Sequence, residues 1–159
     1  MRKPRIYLET SIFNFYVDND RGFAHTDTVQ LFKEIATGTY EAFTSTYVTN
    51  ELKKAPEIKR NKMMELISEY NITVLASTNE AVVLADMYIA EGIIPQKYLT
   101  DGLHIAIATI YDLDVIVSMN FEHIVKRKTK RGTEAINILR GYRSIEICSP
   151  MEMCENEST

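Results

Sequence analysis

Short apolar runs along the chain alternate with longer stretches in which apolar residues recur every three or four positions, a pattern that predicts strands exchanging with helices. A strand over Arg5–Leu8 opens the series, and Ile12, Phe13, Phe15, Tyr16 and Val17 follow on a helix that Thr10-Ser11 can cap. The chain breaks at Arg21-Gly22, and Thr26-Asp27 starts a helix carrying Val29, Leu31, Phe32 and Ile35 until Gly38 stops it. Ala42-Phe43-Thr44 reads as the second strand, and Thr46 caps a helix that carries Glu51 and is interrupted at Pro56. Glu57 to Tyr70 has helical period, Ile72 to Leu75 forms a third strand, and Thr78 to Glu91 is a helix closed by Gly92. Beyond Thr100, Leu103 to Ile110 is apolar on most sides of a helix, which requires a central position. Val115 to Ser118 is a continuous run expected to be buried on both faces, and a helix near Glu134 to Leu139 precedes a short strand, Ile145 to Cys148. Alternation of this kind means an α/β fold with a mainly parallel sheet.

Four polar residues stand just past these apolar runs: Glu9 after Ile6-Tyr7-Leu8, Glu51 after Tyr47-Val48, Asp101 at a helix start, and Asn120 after Val115 to Met119. In an open parallel sheet the carboxyl ends of the strands share one crevice, where residues distant in sequence converge. Three acids in a crevice suit a hard divalent cation, and a carboxylate site of this kind leaves room on Mg²⁺ or Mn²⁺ for a phosphodiester oxygen. Each residue also has a local explanation: strand-end acid for Glu9, solvated helix residue for Glu51, helix cap for Asp101, turn former for Asn120. Their joint order favours the metal pocket. His104 lies on the helix face of Asp101 and reads as a satisfied interior histidine, while His25 and His123 carry no spacing signal.

Composition narrows the field. A chain of 159 residues with 45% hydrophobic and 25% charged content suits one globular domain, placed at residues 1–150 with a short tail at 151–159. Glu9 cuts short the apolar stretch that a secretory signal would need, and no apolar run approaches a membrane span, so the expected location is the cytoplasm. Cys148 and Cys154 lack the spacing of a zinc site and read as reduced thiols. The net charge of −4 does not announce a nucleic-acid binder, but Lys126, Arg127, Lys128, Lys130 and Arg131 place five cations in six positions just downstream of Asn120. That run is either a solvated loop or a phosphate contact.

Three segments carry a family resemblance: Ile6-Tyr7-Leu8-Glu9-Thr10-Ser11, Thr100-Asp101-Gly102-Leu103-His104-Ile105-Ala106, and Val117-Ser118-Met119-Asn120-Phe121-Glu122-His123-Ile124-Val125. Together they resemble a PIN domain, and look most like the VapC-type toxins of toxin–antitoxin systems. The segment from Gly141 to Pro150 is similar to the end of a bacterial PIN subgroup. The resemblance implies a three-layer α/β/α sandwich and a nuclease that cleaves RNA with Mg²⁺ or Mn²⁺. It places Glu9, Glu51 and Asp101 as metal ligands, and Asn120 where a fourth acid is frequent. Two positions depart from the pattern, since Glu9 is one methylene longer than the family aspartate and Asn120 has no charge.

In a nuclease built on these acids, Asn120, Thr10 and Ser11 would support the site or contact substrate, and the basic run would grip the RNA backbone. The resemblance further implies an antitoxin as partner and a homodimer, to which Phe13, Phe15 and Tyr16 could contribute an exposed cluster. A PIN-like domain that has lost turnover and binds RNA or a protein is the alternative. An unrelated α/β phosphate-binding domain is a third reading, against which counts the lack of a Gly-rich loop after any predicted strand.

Overall fold

The computed structural model describes residues 2–155. Its centre is a five-stranded sheet built from β1 (Arg5–Leu8), β2 (Glu41–Ser45), β3 (Thr73–Leu75), β4 (Val115–Val117) and β5 (Glu146–Cys148). The order is β3-β2-β1-β4-β5, and every neighbouring pair is parallel. β1 is therefore central, with Ile6 opposite Ala42 on one side and Val115 on the other. Ile6, Tyr7 and Leu8 are fully enclosed, as a strand covered on both faces must be.

Parallel neighbours need crossovers, and these are helical: α1 (Thr10–Val17) and α2 (Phe23–Ala36) lead to β2, and α3 (Thr46–Leu52) and α4 (Glu57–Glu69) lead to β3. α5 (Asn79–Ala90) and α6 (Leu99–Ile110) lead to β4, α7 (Arg127–Leu139) leads to β5, and α8 (Pro150–Glu155) follows. The order runs outward from β1 in both directions. Right-handed crossovers then put the helices of the first half on one face of the sheet and α5 to α7 on the other. The three-layer α/β/α sandwich expected from the sequence is the observed fold.

Several boundaries differ from the sequence reading, each for a local reason. α2 begins at Phe23 rather than Thr26, because Gly22 takes φ +61° and its carbonyl accepts the Thr26 N–H at 3.1 Å. Asp101 does not cap α6: a 3-10 turn over Gln96–Tyr98 runs straight into the helix at Leu99, leaving Asp101 inside its first turn. Ser45, not Thr46, stands at the cap position of α3, and Thr78, read as the first residue of its helix, is the cap of α5 and accepts from Ala81 N. Thr10 and Ser11 are not caps either, since Glu9 holds that position for α1.

The basic run is not a loop: Lys126 is the cap of α7, and Arg127 to Arg131 form its first turns. Residues expected to begin a tail at 151 instead lie in α8, whose Met153 joins the core; residues 156–159 lie outside the described residues. Phe13, Phe15 and Tyr16 form no exposed patch. Phe13 is enclosed against Phe32, Tyr16 packs between Phe32 and Tyr70, and Phe15 lies under the Arg21 guanidinium.

α7 approaches the segment after α5 very closely. A Cβ added at Gly132 would sit 2.6 to 2.9 Å from three side-chain carbons of Ile93. Gly132→Ala should therefore lower stability by about 1–2 kcal/mol in urea unfolding, overpacking outweighing the helical advantage of alanine. An unchanged or raised midpoint would show that Ile93 moves aside freely.

Candidate functional site

At the carboxyl edge of the sheet, the chain reverses its direction of travel between β1 and β4, the place where open α/β sheets form their crevice. Glu9 follows β1 directly, Ser118 to Asn120 follow β4, Glu51 projects from α3 after β2, and Asp101 comes from the first turn of α6. The topology thus puts Glu9, Glu51 and Asp101 at one edge of the sheet, near enough for the charges of both glutamates to act on Asp101.

Glu9 is nearly buried and does not cap its helix by side chain. Its Oε1 instead accepts the hydroxyls of Ser11 at 2.5 Å and Ser118 at 2.6 Å. Ser11 is bound on its other side by the backbone N–H of Met119 at 2.8 Å, so the ends of β1 and β4 are tied through one carboxylate oxygen. Glu51 Oε1 accepts Thr10 Oγ1 at 2.7 Å and faces His104 Nε2 at 2.8 Å. Thr10 and Ser11, expected as substrate contacts, are thereby engaged in holding the two glutamates.

Behind Glu51 a buried chain of hydrogen bonds runs under the site. His104 Nδ1 is 2.7 Å from the Tyr7 hydroxyl, which is 2.7 Å from Ser45 Oγ. Burial presses His104 toward the neutral form, but its bond to Glu51 and the charges of Glu9, Glu51 and Asp101 raise its pKa above the usual value. Glu51 shows the reciprocal effect: burial alone would push its carboxyl up, and the bond to His104 brings it below the ordinary range. The two shifts agree, and the pair has ion-pair character. The expectation of a satisfied interior histidine holds for His104.

Asp101 is different. Burial, then the charge of Glu9, raises its carboxyl to about 6, against the opposing influence of His104 and His123. Like charges are crowded here with incomplete compensation, the electrostatic condition that marks functional sites. Among the described residues, no three Asp, Glu, His or Cys side chains are arranged to grip a single ion, so a ready-made three-carboxylate cage is not what the fold builds. Mg²⁺ commonly keeps most of its waters and takes only one or two carboxylates. Glu9 and Asp101, oxygen donors whose charges repel across the crevice, fit that smaller requirement.

Asn120 does what its turn reading required. Its Oδ1 accepts the His123 N–H at 3.0 Å and its backbone carbonyl accepts Ile124 and Val125 N–H, folding residues 120–125 back toward α7. One lone pair of that oxygen is thereby spent, which leaves the second lone pair and the amide N–H₂ for a ligand.

The basic run is divided: Lys130 reaches Glu152 at 3.8 Å beside β5, while Arg127, Lys128 and Arg131 are exposed. Sequence reasoning passed over Ser118 and Tyr7 and found no signal in His123. A serine ending a wholly apolar strand was the available signal for Ser118. His123 stacks on Tyr98 with ring centroids 3.6 Å apart, and its ring nitrogens are enclosed without a hydrogen bond. A cavity of about 430 Å³ lies at the opposite, amino edge of the sheet by Arg2 and Asp114 and takes no part in this site.

No family model matches the chain, and no curated protein matches it by sequence. A solved structure does match by fold: a chain in the crystal structure of VapBC2 from Rickettsia felis bound to a DNA fragment from their promoter, with a TM-score of 0.59. The likeness is one of fold. Identity is 10%, yet the match covers 91% of this chain and 98% of that one, so the shared architecture runs from end to end. No helix among the described residues is long and apolar enough to cross a membrane.

Proposed function

We propose that this protein is a metal-dependent endoribonuclease of the PIN type, acting as the toxin of a toxin–antitoxin pair. The observation that carries the reading is the placing of Glu9 and Asp101 together in the β1/β4 crevice, where burial first and the charge of Glu9 second raise the Asp101 carboxyl to about 6. The end-to-end fold match to a chain of a VapBC2 complex supports it. Bound between those two carboxylates, Mg²⁺ or Mn²⁺ would offset phosphate charge and acidify a water.

The chain's own residues would do the rest. Ser11 and Ser118 hold Glu9 by one oxygen and leave the other for the ion. His104 and Thr10 fix Glu51 at the edge of the crevice, where it can orient water or bind the ion through water. Arg127, Lys128 and Arg131 stand at the amino end of α7, where the helix dipole already favours anions, and would contact the RNA backbone. An antitoxin partner and a homodimer belong to the same proposal. Incubating purified protein with single-stranded RNA, Mn²⁺ or a chelator tests it: metal-dependent internal cleavage is expected, and intact RNA under all conditions would sink it.

Asp101 adds a pH dependence. Its folded pKa, about 6, exceeds the ordinary 3.8, so the metal-free fold retains a proton that the unfolded chain has lost, and stability falls as pH rises between those values. Mn²⁺ competes with that proton. The gain in melting temperature on adding Mn²⁺ should be small at pH 5 and full by pH 7.5; equal gains at both would place the ion elsewhere.

A second reading, a PIN-like binding domain without turnover, is favoured by one observation: the longer Glu9 side chain is already bonded to two serines. Glu9→Asp separates the two. A gain in cleavage of about tenfold or more would mark a degenerate nuclease, since catalysis tolerates about 1 Å of misplacement poorly. Equal or lower activity would show that this fold is built around glutamate.

A further inference from the structure

One cleft beside the site is lined by aromatic and thioether side chains that the fold leaves open. It has a volume of about 170 Å³ and lies where the start of α2, the segment after β4 and the start of α8 meet, lined by Phe23, Phe121, Met119 and Met151 together with the polar Asp27 and Ser149. Phe23 is 89% exposed and Phe121 53%, unusual for rings in a chain that encloses its other large aromatics well. A short chain of hydrogen bonds links its Met119 wall to the acid site. Met119 is bonded through its N–H to Ser11, and Ser11 to Glu9, while Asn120 separates Met119 from Phe121.

We infer that this cleft binds a nucleobase of single-stranded RNA, stacked on Phe121 and Phe23, next to the phosphodiester held in the acid crevice; the inference rests on the ribonuclease reading. Size, charge and chemistry select this occupant. The volume is below the roughly 300 Å³ of a drug-sized pocket and suits one ring system. A stable protein partner would need roughly 1,000 Å² of complementary surface, far more than one cleft. The Asp27 carboxylate in the lining repels a phosphate, so a base and not the backbone would enter, while α7, whose Lys130 reaches Glu152 of α8 at 3.8 Å, brings its cations toward the helix that supplies Met151. Unstacked bases bind aromatic faces in this manner, and a carboxylate accepts hydrogen bonds from amino groups on base edges. Adenine, cytosine and guanine carry such an amino group and uracil does not. The site should therefore disfavour uracil.

The full chain carrying Asp101→Asn allows binding to be read without turnover. The probe is a single-stranded RNA octamer containing 2-aminopurine, whose fluorescence falls when the base stacks. Binding with quenching is expected, Phe121→Ala should weaken it about 5- to 100-fold and remove the quenching, and Phe121→Trp should restore both. Asp27→Asn should narrow the preference for oligoadenylate over oligouridylate. Unchanged affinity and quenching in Phe121→Ala and Phe23→Ala would overturn the inference. So would a Phe121→Ala protein that binds RNA normally but sediments as a smaller species, since the cleft would then be a protein interface. Phe121-dependent quenching from a wild-type protein that cleaves no RNA would sink the nuclease reading and leave the base cleft standing.

Discussion

Asp101→Asn is expected to remove Mn²⁺ binding and to lower RNA cleavage by at least 10²- to 10³-fold, the scale on which one charged contact to a reacting centre acts. The substitution keeps the shape of the side chain and discards its charge. Asp101 sits in the first turn of α6, on a helix whose next residues from Gly102 are largely enclosed, so its backbone has no freedom to bring another acid into its place. Burial and the charge of Glu9 already work against its ionised form. Without metal at pH 7.5, the variant should thus melt at or above the wild-type temperature, because the replaced group was ionised at a cost. Lost cleavage together with retained or raised stability separates a chemical role from damage to the fold. Full activity in the variant would remove Asp101 from the mechanism and the metal site with it. Calorimetric titration of Mn²⁺ into both proteins supplies the binding half of the test.

His104→Leu should have the largest effect on stability, a loss of about 1–3 kcal/mol. The imidazole is almost wholly enclosed and spends both nitrogens, one on Tyr7 and one on Glu51. Leucine fills a similar volume but leaves Glu51 with Thr10 alone, and Tyr7 with Ser45 alone. The side chain of Glu51 is about one third exposed, and water compensates part of the loss, which keeps the expected figure below that of a fully buried pair.

The pH profile is a sharper readout than the midpoint. Glu51 has a lowered folded pKa, so its contribution is present above the ordinary 4.5 and is lost as pH falls through the folded value. His104 has a raised folded pKa, and its contribution is complete below 6.5 and lost as pH rises through the folded value. The pair therefore stabilises most between these limits. His104→Leu should flatten the stability profile across that window, and His104→Gln, which can still donate to Glu51, should recover part of the midpoint without the pH dependence. A profile unchanged by either substitution would show that the two groups are not coupled.

Where the sequence was legible, hydrophobic pattern was the reason. Val115 to Val117 and Ile6 to Leu8 are wholly apolar because a central parallel strand is covered on both faces, and that requirement is visible in the residues themselves. α7 shows the opposite case. Thr129, Thr133 and Asn137 recur every four residues on its buried face, where Thr133 bonds to the Thr129 carbonyl and Asn137 bonds to Tyr88 and Thr109. A helix that buries polar side chains has no apolar stripe, and its first turns looked like a charged loop. The aromatic residues of α1 misled in the same way: periodicity marks a face as apolar, but only packing against Phe32 and Tyr70 shows that the face is covered.

By itself, the sequence determined the α/β class and the order of its elements, and it put Glu9, Asp101 and Asn120 at the ends of strands or the start of a helix, because local periodicity and strand burial are written residue by residue. Tertiary structure decided which atoms are committed. Only the pairing of β1 with β4 brings Ser118 to Glu9, only the crossing of α6 behind α3 brings His104 to Glu51, and only the turn after β4 brings the His123 N–H to the Asn120 oxygen. Hydrogen bonds and charge coupling fall off over a few ångströms, whereas these partners lie up to 109 residues apart in sequence.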